Sequence, residues 1–111
     1  MKNIGLALLV LTLASPLAAK EWKGVSLMDT NCSGKAASLA HPEDHTTMCA
    51  MKCKKSGYGV VVDGKYIPFD KKGSKLASAA LAKTKKKDHL TATVNGEMQG
   101  NTLAVTSLRI E

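Results

Sequence analysis

Aromatic residues are scarce in this chain: one Trp, two Tyr and one Phe among 111 residues. Proteins that hold single-stranded nucleic acid stack successive bases on such rings, so the scarcity argues against a nucleic-acid partner. Signatures of catalysis are missing as well. There is no nucleophile elbow, no phosphate-binding glycine loop and no pair of carboxylates at helical spacing. Asp29, Asp63, Asp70 and Glu97 each fall near a strand end or turn, where ordinary turn chemistry accounts for an acid. The expectation is a non-enzymatic protein. Internal repeats and low-complexity linkers are absent too, which favours one domain. Beyond the first 19 residues no run is apolar enough to span a bilayer, which takes about 20 residues.

What apolar run there is stands at the start. Lys2 precedes "IGLALLVLTLA", and "SPLAA" follows with small residues. This is the pattern of a secretory signal peptide over residues 1–19, cleaved after Ala19. The folded domain is then residues 20–111, and the expected location is periplasmic or secreted. The formal net charge of +7 falls by one when Lys2 leaves. Such a basic surface is either solvated or attracted to an anionic envelope component. Three cysteines, Cys32, Cys49 and Cys53, enter an oxidising compartment. An odd count implies one disulfide with one thiol left over, or a cysteine that serves a metal.

The mature chain reads as five strands and two helical regions. "EWKGVSLMDTNC" forms a first strand, with Trp22, Gly24, Ser26 and Met28 alternating against Lys23, Val25 and Leu27. A small-residue loop follows. Residues 42–55 read as a helix with Pro42 in its first turn and Ser56-Gly57 as its stop. "YGVVVDGKYIPFD" is a hairpin turning at Asp63-Gly64. "GSKLASAALAKTKKK" is a second helix that Ser74 can cap, with Leu76, Ala77, Ala80 and Leu81 as its apolar stripe. A last hairpin turns at Gly100-Asn101. In it, Leu103 and Val105 have one parity, Leu108 and Ile110 the other. Gly96 suggests the bulge that would bring both pairs inward.

A helix between the third and fourth of five strands is the order of the OB-fold, a Greek-key barrel. In this layout, and in "WKGVSLMDTNC", "HTTMCAMKC" and "VNGEMQGNTLAVTSL", the chain resembles small secreted or periplasmic bacterial OB-fold-like proteins of unknown function. The resemblance implies a mainly β, five-stranded OB-like barrel. The cysteine-bearing helical insertion after strand 1 departs from the plain periplasmic pattern.

His41, His45, Cys49 and Cys53 recur every four residues. On one helix the first and last stand roughly 18 Å apart, from a rise of about 1.5 Å per residue. A metal–ligand bond is about 2.0–2.3 Å long, so one ion reaches only neighbouring rungs and needs help from Cys32. A metal site drawn from Cys32, His45, Cys49 and Cys53 suits a soft transition metal, copper or zinc. The His45-x3-Cys49-x3-Cys53 run resembles, in reverse order, the Cys-x3-Cys-x3-His run of the dinuclear copper site in cytochrome oxidase. A structural alternative pairs Cys32 with Cys49 or Cys53. That disulfide would close a loop of about 17 to 21 residues and contribute about 3 kcal/mol. A third alternative is a thiol–disulfide role for the remaining cysteine. For an anionic ligand, the candidate surface is Tyr58, Lys65 and Tyr66 on the first hairpin, and a monomer is expected.

Overall fold

The computed structural model describes residues 19–111. The expected signal peptide, except for Ala19, lies outside the described residues. The strands are β1 (Lys20–Asp29), β2 (Tyr58–Val62), β3 (Lys65–Pro68), β4 (Thr91–Gln99) and β5 (Thr102–Ile110). They form one antiparallel sheet in the order β3-β2-β1-β4-β5. The helices are α1 (Thr30–Ser33), α2 (Ala36–Ala40), α3 (Thr47–Lys52) and α4 (Lys71–Lys83). Among the described residues, no helix is long and apolar enough to cross a membrane.

Turn chemistry sets both hairpins. Asp63 and Gly64 both take positive φ, 51° and 77°, as a two-residue I′ turn requires. Gly100, at φ 66°, opens the two-residue turn between Gln99 and Thr102. The register of β4 with β5 shifts so that Asn95 faces Ser107 while Gly96 faces Val105. Thr106 is therefore the extra residue of a bulge, and side-chain parity reverses there. Leu103 and Val105 before it are buried, and Leu108 and Ile110 after it also pack on the core. Gly96 is needed opposite the bulge because a Cβ there would collide with the Ala104 carbonyl.

A second bulge corrects the expected alternation of β1. Trp22 pairs with Val94 but Val25 pairs with Ala92, and Gly24 between them has φ 61°. Trp22 thus joins Val25 and Leu27 against the core instead of Ser26 and Met28.

The sheet does not close into the expected barrel. Its outer strands, β3 and β5, meet only through one parallel bridge, Phe69 to Leu103, with Asp70 N–H donating to the Leu103 carbonyl over 3.0 Å. Two features of β3 limit this seam. The strand has four residues, and its last, Pro68, has no N–H to offer.

Helix α4 packs its buried residues Gly73, Ala77 and Leu81 on the sheet. Its cap is Asp70, not Ser74. Asp70 Oδ1 accepts from Gly73 N at 2.8 Å and from Val105 N at 3.3 Å, joining helix and β5 through one carboxylate. Ser74 Oγ instead accepts from Tyr58 N at 3.0 Å. A Cβ on Gly73 would stand 2.6 Å from Val105 Cγ2 and 2.7 Å from Phe69 Cβ. The glycine is what lets the first turn approach the sheet so closely.

Asp70→Ala should lower stability by about 1–2 kcal/mol, the usual range for an N-cap loss. Urea denaturation checks this as a lower midpoint with an unchanged slope. Asp70→Asn, which keeps a capping oxygen, should recover most of the loss.

Candidate metal centre

The 28 or so residues between β1 and β2 were expected to carry one helix over 42–55, and they do not. Pro42–Asp44 is a single 3-10 turn, His45 is extended at φ −72° and ψ 131°, and α3 begins only at Thr47. Thr46 caps α3, its hydroxyl accepting from Cys49 N at 3.1 Å. A Thr in the capping position relieves an otherwise unpaired N–H of the first turn, so the helix starts after it. The histidine–cysteine ladder is therefore split between three local conformations.

This break frees His45 to turn inward. Its Nε2–H donates to Asp29 Oδ1 across 2.6 Å, with the Asp29 side chain fully buried and that of His45 only 7% exposed. Asp29 closes β1 and caps α1, its other oxygen accepting from Cys32 N at 2.9 Å. Because α1 starts at Thr30, Cys32 sits on the same turn as the carboxylate. Ligand atoms of Asp29, Cys32 and His45 lie within 4.8 Å of one another. A pocket of about 270 Å³ lined by Ala37, Ser38, His41, Asp44 and His45 shares His45 with the cluster.

Two of the four expected ligands thus meet, joined by an acid that turn chemistry had seemed to explain. The legible signal was spacing: Asp29 precedes Cys32 by three residues, the capping interval. Cys49 is not part of the cluster and is exposed on α3. Cys53 lies near enough to raise the Cys32 pKa, and its sulfur accepts from Asn31 Nδ2 at 3.5 Å, yet it is not one of the three converging groups. All three cysteines are free thiols, so neither Cys32–Cys49 nor Cys32–Cys53 is bonded in this structure. His41 is exposed, and among the described residues its ring pairs only with Glu43, at 3.4 Å.

Burial and the neighbouring Asp29 carboxylate, which also accepts a hydrogen bond from the thiol, push the Cys32 pKa up to about 11, against a smaller opposing pull from Lys35. A thiol held protonated at neutral pH is a poor nucleophile. That argues against thiol–disulfide chemistry at Cys32. A cation in the cluster would reverse the balance, because coordination deprotonates a thiol outright.

The expected anionic surface is not assembled. Tyr58 is buried in the core, and its hydroxyl donates to the Ala50 carbonyl at 2.8 Å. Tyr66 is half-buried, its hydroxyl 2.8 Å from Thr30 Oγ1 and 3.4 Å from the Met28 carbonyl. Lys65 is exposed at the hairpin end.

Burial, reinforced by the Asp29 charge, pushes both phenols up to about 12. The neutral form is favoured by folding, so this contribution is intact below pH ~10, the ordinary tyrosine value. It is lost as pH rises from there toward 12. Spectrophotometric titration of the metal-free protein should show no phenolate step near pH 10 while the fold persists. Alkaline loss of structure should accompany the first step.

Comparison with protein-family models, with curated proteins and with solved structures finds no match to this chain.

Proposed function

We propose that this chain is a small exported protein that binds a transition metal through Asp29, Cys32 and His45. The observation that carries the reading is the convergence of three different donors within 4.8 Å, with Asp29 and His45 buried and Cys32 half-buried. Carboxylate, imidazole and thiolate are the donor types of zinc, and three protein ligands leave the fourth tetrahedral position open. A thiolate with imidazole also suits copper, but the hard carboxylate oxygen shifts the preference to zinc. The ion would take the place of the thiol proton of Cys32, and His45 would ligate through Nε2 with its ring N–H on Nδ1, so binding releases the Cys32 proton. Export rests on the apolar, small-residue leader at residues 1–19. The order β3-β2-β1-β4-β5 and the Phe69–Leu103 bridge support an OB-like relationship for the sheet, opened at that seam.

A second reading has its own observation. Both oxygens of Asp29 already accept hydrogen bonds, and no buried side-chain polar atom among the described residues lacks a partner. The cluster is then a latch that fastens the insertion to β1. Removing one partner of a buried polar pair typically costs about 3–5 kcal/mol.

Calorimetric titration of the reduced protein with zinc separates the two. The metal reading expects one equivalent, with uptake of zinc accompanied by proton release in buffers of differing ionisation enthalpy. Cys32→Ser should weaken binding at least tenfold, and Cys49→Ser should leave it unchanged. Zinc at a hundredfold excess over Kd should raise stability by about 2.7 kcal/mol. If the parent takes up no zinc, or if Cys32→Ser and His45→Ala variants that retain their circular dichroism bind it as the parent does, the latch alone remains.

His45→Ala should also destabilise the metal-free fold by about 3 kcal/mol or more. Thermal unfolding in a chelator measures this, and Cys49→Ser serves as the neutral control.

A further inference from the structure

The insertion has a second face, made of residues outside the metal cluster. On it, Met48 is 69% and Met51 46% exposed, an unusual degree for large apolar side chains three residues apart on one short helix. They form the floor of a groove of about 850 Å³ against the segment that follows α4. Its cationic side chains are Lys52, Lys85, Lys86 and Lys87, and no acid lines it. The volume is within the range of small-molecule sites, about 300–1,000 Å³.

The groove is held in place by hydrogen bonds that belong to neither wall alone. Thr47 N donates to the Lys87 carbonyl at 2.8 Å, and Thr47 Oγ1 to the Lys86 carbonyl at 2.6 Å. Lys86 N donates to Thr84 Oγ1 at 3.2 Å, which shapes the turn out of α4. The lysine run is thus pinned beside the methionines. A wall set before binding avoids part of the ordering cost of a ligand site.

We infer that this groove binds a single-chain anionic amphiphile, a long-chain carboxylate in the simplest case, with its acyl chain on Met48 and Met51 and its head among Lys52, Lys85 and Lys87. Three features select that class. Met48 and Met51 offer apolar contact, as a hydrocarbon chain needs, and methionine adapts its shape to irregular apolar partners. The charge of the lining is of one sign, with Lys52 on α3 and Lys85, Lys86 and Lys87 on the segment after α4, matching a ligand with one anionic end. The shape is concave, which accepts a separate chain and does not lie flat on a bilayer. This site shares no residue with the metal cluster, so each stands or falls by itself.

Methionine-methyl NMR of the intact protein provides the test, because the sequence carries its own controls. Met28 is fully buried, and Met98, 43% exposed on β4, lies outside the groove. Decanoate below its micellar concentration should shift the Met48 and Met51 methyls saturably and leave Met98 in place. Decyltrimethylammonium and decanol should bind at least tenfold more weakly. Charge reversal in Lys85→Glu/Lys87→Glu, both at exposed positions, should weaken decanoate at least tenfold. Met48→Ser should weaken it severalfold with the buried Met28 signal unmoved. Equal response at Met98, equal affinity for the three decyl compounds, or binding to phosphatidylglycerol vesicles with none to monomeric decanoate would each overturn the assignment.

Discussion

A carboxylate with no exposure to water, Asp29, must find hydrogen-bond donors in the protein, because a buried charge without them is too costly to keep. It finds two, the Cys32 N–H and the His45 ring, at 2.9 and 2.6 Å. The first begins α1 and sets the direction in which the chain leaves β1. The second brings back a residue from the far side of α2. The insertion between β1 and β2 is therefore closed on itself around one side chain. Other contacts follow from that closure: Thr30 N reaches the Gly57 carbonyl where the insertion returns to the sheet, and Ala50 is buried in the core under the Tyr58 hydroxyl. A domain this small has a limited apolar core, and the polar contact at Asp29 fixes a segment that apolar burial alone would leave loosely held.

The same closure divides the insertion into two chemically distinct faces. On one are Asp29 and His45, buried, with the half-buried Cys32, of mixed donor type. On the other are Met48, Met51 and the lysines, wet and of one charge. Helix α3 links them, since its buried Ala50 packs on the core while the methionines on either side face out. Two differently lined faces on one short segment follow from a helix too short to bury more than one side. The open sheet beneath serves as a rigid platform, with hairpins at both ends held by turns whose glycines and Asp63 take positive φ.

Much of the platform was legible in the residues. Asp63-Gly64 and Gly100-Asn101 specify two-residue turns through backbone conformations that few residue types tolerate, so local chemistry decides them. The parity change from Leu103 and Val105 to Leu108 and Ile110 required a bulge, and Thr106 supplies it. The β1 bulge was harder to see, because Gly24 fits plain alternation equally well until pairing with β4 fixes the register. The expected helix over 42–55 does not form, because Pro42, Glu43 and Asp44, a valid local start signal, make only one 3-10 turn while Thr46 caps a later start and His45 is drawn off by Asp29. A long-range partner of that kind leaves no periodic trace in the sequence. Closure of the sheet was likewise a property of strand length and Pro68 at a distant seam, not of the strand order, and the cysteines' fate depended on the same fold-back, which brings Cys32 to His45 and leaves Cys49 outside.

X-ray absorption spectroscopy of the zinc-loaded, reduced protein tests the central claim most directly, because it counts sulfur ligands without perturbing the site. Coordination by Asp29, Cys32 and His45 predicts one sulfur at about 2.3 Å and the remaining shell of nitrogen and oxygen at about 2.0–2.1 Å. A shell with two or three sulfurs, recruiting Cys49 or Cys53, or one with no sulfur at all, would contradict it.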